Sequence, residues 1–178
     1  MLSEDYLKTN PKHAPVRVEA GALGVGIPDK TLYVSPQHRI LVRSEIVEIM
    51  FSVSEILVPA AQLAGIPSVK RLNVSHPVQY FHILMDKHSL LRANETLVES
   101  LYLGTNTMSG LTRMEHSLIS RLVGLKASDS MQPVRKLASG SKVKKLVERH
   151  LKNNRQFVEN RTNFRPKEGV GIQCNFQS

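Results

Sequence analysis

The stretch Thr31-Leu32-Tyr33-Val34-Ser35-Pro36-Gln37-His38-Arg39-Ile40-Leu41-Val42 decides the fold class of this 178-residue chain. Two short apolar runs, 31–34 and 40–42, are built from residues that favour extended backbone and flank a polar interruption. Proline at position 36 fixes its own φ and pushes Ser35 towards an extended conformation, so the segment reads as strand, turn, strand. The signals around it stay short and β-like. Upstream, Pro15-Val16-Arg17-Val18-Glu19 alternates apolar and polar residues, and Gly21, Gly24, Gly26 and Pro28 mark turns. Downstream, residues 45–49 and 56–59 read as strands, and a short helix over 60–64 ends at Gly65. Residues 78–85 and 88–93 form the clearest strand pair, with Tyr80, His82 and Leu84 on one face and Phe81, Ile83 and Met85 on the other. Many short strands with irregular connections predict a compact, mostly β fold.

After Gly104 the period changes. Thr112, followed three residues later by Glu115, has the pattern of a capping box, and Met114, Leu118, Ile119, Leu122 and Val123 share one helical face. A second helix is predicted over 141–153, with Val143, Leu146, Val147 and Leu151 as its apolar stripe. Between the helices, residues 127–140 read as polar and flexible, and the end from Asn160 reads as poorly ordered.

Composition narrows the function. Hydrophobic residues make up 41% of the chain, enough for a real core. The longest apolar run, 56–61, falls far short of the roughly 20 residues that cross a bilayer, so no membrane span is expected. The start, Met1-Leu2-Ser3-Glu4-Asp5, is acidic where a signal peptide is basic. The single cysteine, Cys174, excludes a disulfide framework and a multi-cysteine zinc site, which makes a reducing, cytoplasmic setting the default, with secretion by a signal outside this chain as the alternative. No cofactor is implied.

Charge is uneven: +8 of the formal net +9 lies in residues 131–178. Lys142, Lys144, Lys145, Arg149, Lys152 and Arg155 are therefore candidates for a basic stripe that binds nucleic acid or another anionic surface. The plainer reading is a solvated helix face beside an apolar stripe.

Three constellations invite chemistry. Gly21-Ala22-Leu23-Gly24-Val25-Gly26 lacks the spacing of a nucleotide loop and runs into Pro28, so it is read as turn chemistry. His76, His82 and His88 recur every six residues, a spacing that does not by itself converge three metal ligands. Ser35 and His38 carry more information. An imidazole three residues after a hydroxyl, at a proline-stiffened bend, can give a proton to an amide nitrogen while the hydroxyl polarises the amide or supports the ring. On spacing alone the simpler account is preferred, in which Ser35 caps a turn and His38 pairs with the backbone.

The ordered series of residues 15–24, 31–42 (TLYVSPQHRILV), 55–60 and 78–104 (VQYFHILMDKHSLLRANETLVESLYLG) resembles the Hedgehog/intein, or Hint, domain family. In particular it is similar to a bacterial branch with a Ser-Pro-x-His motif whose core ends in Glu-Ser. The resemblance implies a Hint-type β horseshoe and self-catalysed peptide cleavage, with the chain's own upstream polypeptide as substrate. A Cys or Ser at the module's first position attacks the preceding carbonyl, and a second block supplies a hydroxyl and a histidine. Ser35 and His38 match that block, and His88, after Asp86-Lys87, resembles a histidine near the last strands. Nothing in residues 1–14 matches the nucleophile-led first block. Ser3 is a poor substitute and Cys174 lies at the wrong end, so an N-terminally incomplete, inactive domain is expected. Glu99-Ser100 stands where splicing inteins have His-Asn, so cleavage downstream by Asn cyclisation is not expected. The implied organisation is an irregular segment over 1–14, a truncated Hint-like β domain over 15–104, a helical basic extension over 105–156 and a flexible tail over 157–178. Unpaired strand edges left by the missing block predict marginal stability or self-association.

Overall fold

The computed structural model describes residues 1–104, 112–124, 130–159 and 171–172. Strands β1 (Val16–Val18), β2 (Leu32–Val34) and β5 (Val69–Arg71) form an antiparallel three-stranded sheet with β1 central. A second sheet is built from β3 (Arg39–Arg43), β4 (Glu55–Pro59), β6 (Leu90–Ala93), β7 (Thr96–Glu99), β8 (Lys136–Leu137) and β9 (Gly171–Ile172), in the order β8-β4-β3-β7-β6-β9. Its four inner strands are antiparallel, and the two-residue strands β8 and β9 join the edges in parallel. The decisive stretch is thus divided between sheets: β2 belongs to one, β3 to the other, and residues 35–38 turn the corner.

Burial explains this arrangement. Every residue of β4 is buried, as a run of Ile56, Leu57 and Val58 in a central strand requires. Val16, Val18, Leu32, Ile40, Val42, Ile56 and Val58 share one cluster, each contributing about 1.5–3 kcal/mol by leaving water.

Several expectations need correction. Residues 45–49 are helical: α2 (Glu45–Phe51) starts at Ser44, whose Oγ accepts from Val47 N–H at 3.2 Å, and buries Ile46, Val47 and Phe51. Five residues are too few to separate a period of 2 from one of 3.6. The strand pair 78–85/88–93 is also displaced. Val78 bridges Leu2, no ladder runs through 79–85, and the actual hairpin is β6–β7. Its two-residue turn is Asn94-Glu95, with φ of 48° and 58°; glutamate at the second position hid a turn that normally advertises itself with glycine. Residues 1–14 are regular rather than irregular. Helix α1 (Glu4–Thr9) is capped by Ser3, a 3-10 turn covers Pro11–His13, and Leu7 and Ala14 pack with Val74 and Val78.

Described residues between 138 and 158 are built into the same core. Helix α3 (Arg113–Val123) has both bonds of the capping box at Thr112 and Glu115, as predicted. Of its apolar face only Ile119 and Val123 are covered, against Leu103 and Met131, while Met114, Leu118 and Leu122 stay exposed. In the stretch expected to be flexible, Met131 and Ala138 are buried and β8 pairs with β4. Helix α4 (Ser141–Lys152) inserts Val143, Leu146 and Val147 into the main cluster, and Leu151 falls out of the stripe, exposed. Phe157 and Val158, placed by composition in a flexible tail, are buried too. Arg43 N–H donates to Phe157 O at 2.9 Å, and Val158 N–H donates to Leu23 O at 2.8 Å. A Cβ on Gly24 would meet Val158 O at 2.6 Å, so only glycine permits this approach. Cys174, and the end from Asn160 apart from β9, lie outside the described residues.

One buried hydroxyl joins the helices. His150, fully buried, donates from Nδ1 to Leu146 O at 2.8 Å, which leaves Nε2 to accept from the Ser44 hydroxyl at 2.8 Å, and its ring stacks on Phe157. Burial holds this imidazole below its ordinary value of 6.5, against the opposing pull of Leu146 O and Glu159, with Arg155 adding to the lowering. Because the unfolded chain then takes up a proton first, the contribution of this imidazole to stability is complete above pH 6.5 and is lost as the pH falls below it. Urea unfolding should therefore show His150→Ala to cost about 2–4 kcal/mol at neutral pH, with a weaker loss on acidification than the wild type shows.

Candidate active site

The corner at 35–38 is pinned by backbone hydrogen bonds. His38 N–H donates to Ser35 O at 3.1 Å to close the turn, Ala61 N–H donates to Pro36 O at 3.0 Å, and Ala60 N–H donates to His38 O at 2.9 Å. Pro36 is buried, so the turn is seated on the 3-10 segment Ala60–Leu63 while Ser35 and His38 remain partly exposed.

Strand register supplies the next layer. Ile40 pairs with Val98, which brings the start of β3 alongside the end of β7 and sets Glu99 against Arg39. The Glu99 carboxylate accepts from Arg39 N–H at 3.0 Å, and the Arg39 guanidinium lies 3.1 Å from each carboxylate oxygen. His88 Nε2 sits 3.2 Å from Glu99 Oε2, off the line of an ideal hydrogen bond. Its Nδ1 accepts from Val134 N–H at 3.2 Å, which assigns the ring proton to Nε2. Ser89 and Ser100 hold the His88 loop to the end of β7: Ser89 N–H donates to Ser100 Oγ at 2.9 Å and Ser100 N–H donates to Ser89 O at 2.8 Å. Tyr102 covers the group, 4.7 Å from the His88 ring centroid and 5.9 Å from the Arg39 guanidinium carbon.

Burial would raise the Glu99 carboxyl, but His88 and then Arg39 outweigh it and hold the group below its usual range, ionised at neutral pH. For His38, burial dominates in the other direction and lowers the imidazole. Glu99 opposes that shift, and His82 and Arg39 add to it. His38 is thus neutral at pH 7 yet lies in the field of a fixed carboxylate.

Of the residues singled out in the sequence, the structure brings Ser35 and His38 together through their backbone and places His88 against Glu99, which also acts on His38. His76 and His82 are exposed whereas His88 is buried, and no group of three metal-binding side chains forms among the described residues. Among the basic candidates, Lys142 Nζ lies 4.6 Å from the Phe51 ring centroid, and Arg155 is paired with Glu45 and Glu159. Lys144, Lys145, Arg149 and Lys152 face solvent on α4. Arg39, Glu99 and Tyr102 were missed as site residues. Arg39 and Glu99 are 60 positions apart, and only the β3–β7 register joins them.

An NMR titration should place the His38 midpoint below its ordinary value of 6.5. A His38 already charged at that pH would contradict the geometry.

The family model described as the Hint domain matches residues 1–105, from α1 through β7 and on past Tyr102. No curated protein and no solved structure matches. No helix among the described residues is long and apolar enough to cross a membrane. A match over 105 of 178 residues, resting on the sheets that carry the Ser35–His38 corner, shows that the chain belongs to the Hint domain family.

Proposed function

We propose that this chain is an autoprocessing domain of the bacterial Hint branch, in which the Ser35–His38 corner is the acid–base half of the site. The observation that carries the reading is the placement of His38: a shielded imidazole, neutral at pH 7, at the corner between two sheets and in the field of an ionised carboxylate. Its neutrality refines the chemistry. A neutral imidazole first accepts the proton of the attacking thiol or hydroxyl. The new C–S or C–O bond forms at the preceding carbonyl, the C–N bond breaks, and the same proton passes from His38 to the leaving nitrogen. A second thiol or water then takes the acyl group. Ser35 is assigned to polarising the scissile amide, and His88 to holding Glu99 in place.

The attacking residue of the family has no counterpart within 1–178. Ser3 Oγ is engaged as the α1 cap, accepting from Tyr6 N–H at 3.2 Å. The substrate is accordingly polypeptide joined ahead of Met1, and residues 1–178 alone are expected to be inert.

Intact-mass spectrometry tests this reading. The purified chain should keep its mass in dithiothreitol, whereas a protein carrying the family's Cys-led first block ahead of Met1 should be cleaved at that cysteine. His38→Ala should slow the cleavage about a hundredfold or more. Cleavage that survives this substitution would overturn the assignment.

A further inference from the structure

We infer that Glu99 is the positioning residue for His38, an inference that rests on the autoprocessing reading and names the group on which that site depends. The argument begins with the backbone. The peptide that follows His38 is held by a side chain: Arg39 N–H donates to Glu99 Oε1 at 3.0 Å, while the other holds on this turn come from main-chain atoms. The carboxylate is itself fixed by one guanidinium nitrogen, Arg39 Nη1, which donates to both of its oxygens, and by His88 beside its far oxygen. Its position is therefore set before any substrate arrives.

The charge of Glu99 serves the same end. The proton shuttle requires His38 to carry a proton for part of the cycle, in a setting where burial, Arg39 and His82 all oppose the imidazolium. Glu99 is the acidic group that favours it. His88 first, and then Arg39, keep that carboxylate ionised, so it steadies the imidazolium and leaves the proton on the ring, the division of labour seen where a buried acid orients a catalytic histidine. Glu99 acts through His38 and touches no reacting atom.

Three variants of the full chain test this by NMR and hydrogen exchange, with no need for cleavage. Glu99→Gln keeps an acceptor for Arg39 N–H and removes the charge, so the His38 titration midpoint should move to lower pH while the Arg39 amide remains protected. Glu99→Ala should move the midpoint likewise and speed Arg39 amide exchange about tenfold or more. Arg39→Gln, which removes an opposing cation and leaves the carboxylate, should move the midpoint to higher pH. Should Glu99→Ala fail to fold, the opposite signs of the other two variants decide the matter.

Joined to a Cys-led first block, Glu99→Gln should slow cleavage about tenfold or more and shift its pH profile with the His38 midpoint. An unmoved His38 midpoint in Glu99→Gln, or an unshifted pH profile, overturns the inference. If His38→Ala abolishes cleavage while Glu99→Gln leaves it intact, the inference fails and the autoprocessing reading stands. If cleavage is indifferent to His38, the reading fails, and the NMR result still says whether Glu99 governs that imidazole.

Discussion

A carboxylate taken out of water is the constraint around which this molecule is arranged. Glu99 is buried at the end of a β-strand, where an unpaired negative charge would cost several kcal/mol. Its partners come from separate parts of the chain: Arg39 at the start of β3, His88 ahead of β6, and, through His88, the main chain at Val134. Satisfying that one charge fixes the register of β3 against β7 and seats the loop before β6. Through His88 the carboxylate also meets the main chain at Val134. The corner that carries Ser35 and His38 immediately precedes Arg39, so the same ion pair that offsets the burial of Glu99 holds the candidate catalytic turn in place.

A second tether of the same kind lies at the opposite end of β3. Glu55 is buried between Arg43 and Arg135, and the Ser44 hydroxyl both caps α2 and donates to His150 on α4. Neither interaction is local in sequence. Together with the seating of Phe157 and Val158 between Leu23 and Arg43, they make residues 130–159 a wall of the β core. The excess positive charge of this region faces outward on α4, over an inner face of Val143, Leu146, Val147 and His150.

How much of this was legible in the sequence follows from the range of each interaction. Local signals were readable: the proline-stiffened turn between β2 and β3, the capping box at Thr112, and the stripe of Val143, Leu146 and Val147 all depend on residues a few positions apart. Short elements with mixed signals were misread. Helix α2 resembles a strand over five residues, and the β6–β7 hairpin turns on Asn94-Glu95, with no glycine to mark it. Ser35, His38 and His88 were singled out by the family resemblance. Arg39 and Glu99 were missed as a pair because nothing at either position signals a partner 60 residues away. Sheet register makes such a pair, and register emerges only when the whole core closes.

The central claim, that the Arg39–Glu99 clamp holds the His38 corner, is tested most directly by a double-mutant cycle in urea unfolding with Arg39→Ala, Glu99→Ala and the double variant. The account predicts a coupling energy of about 1–3 kcal/mol, because each single substitution leaves its partner without its counter-charge. Additive single effects, with a coupling near zero, would show that the two residues are neighbours without being a clamp, and would contradict the account.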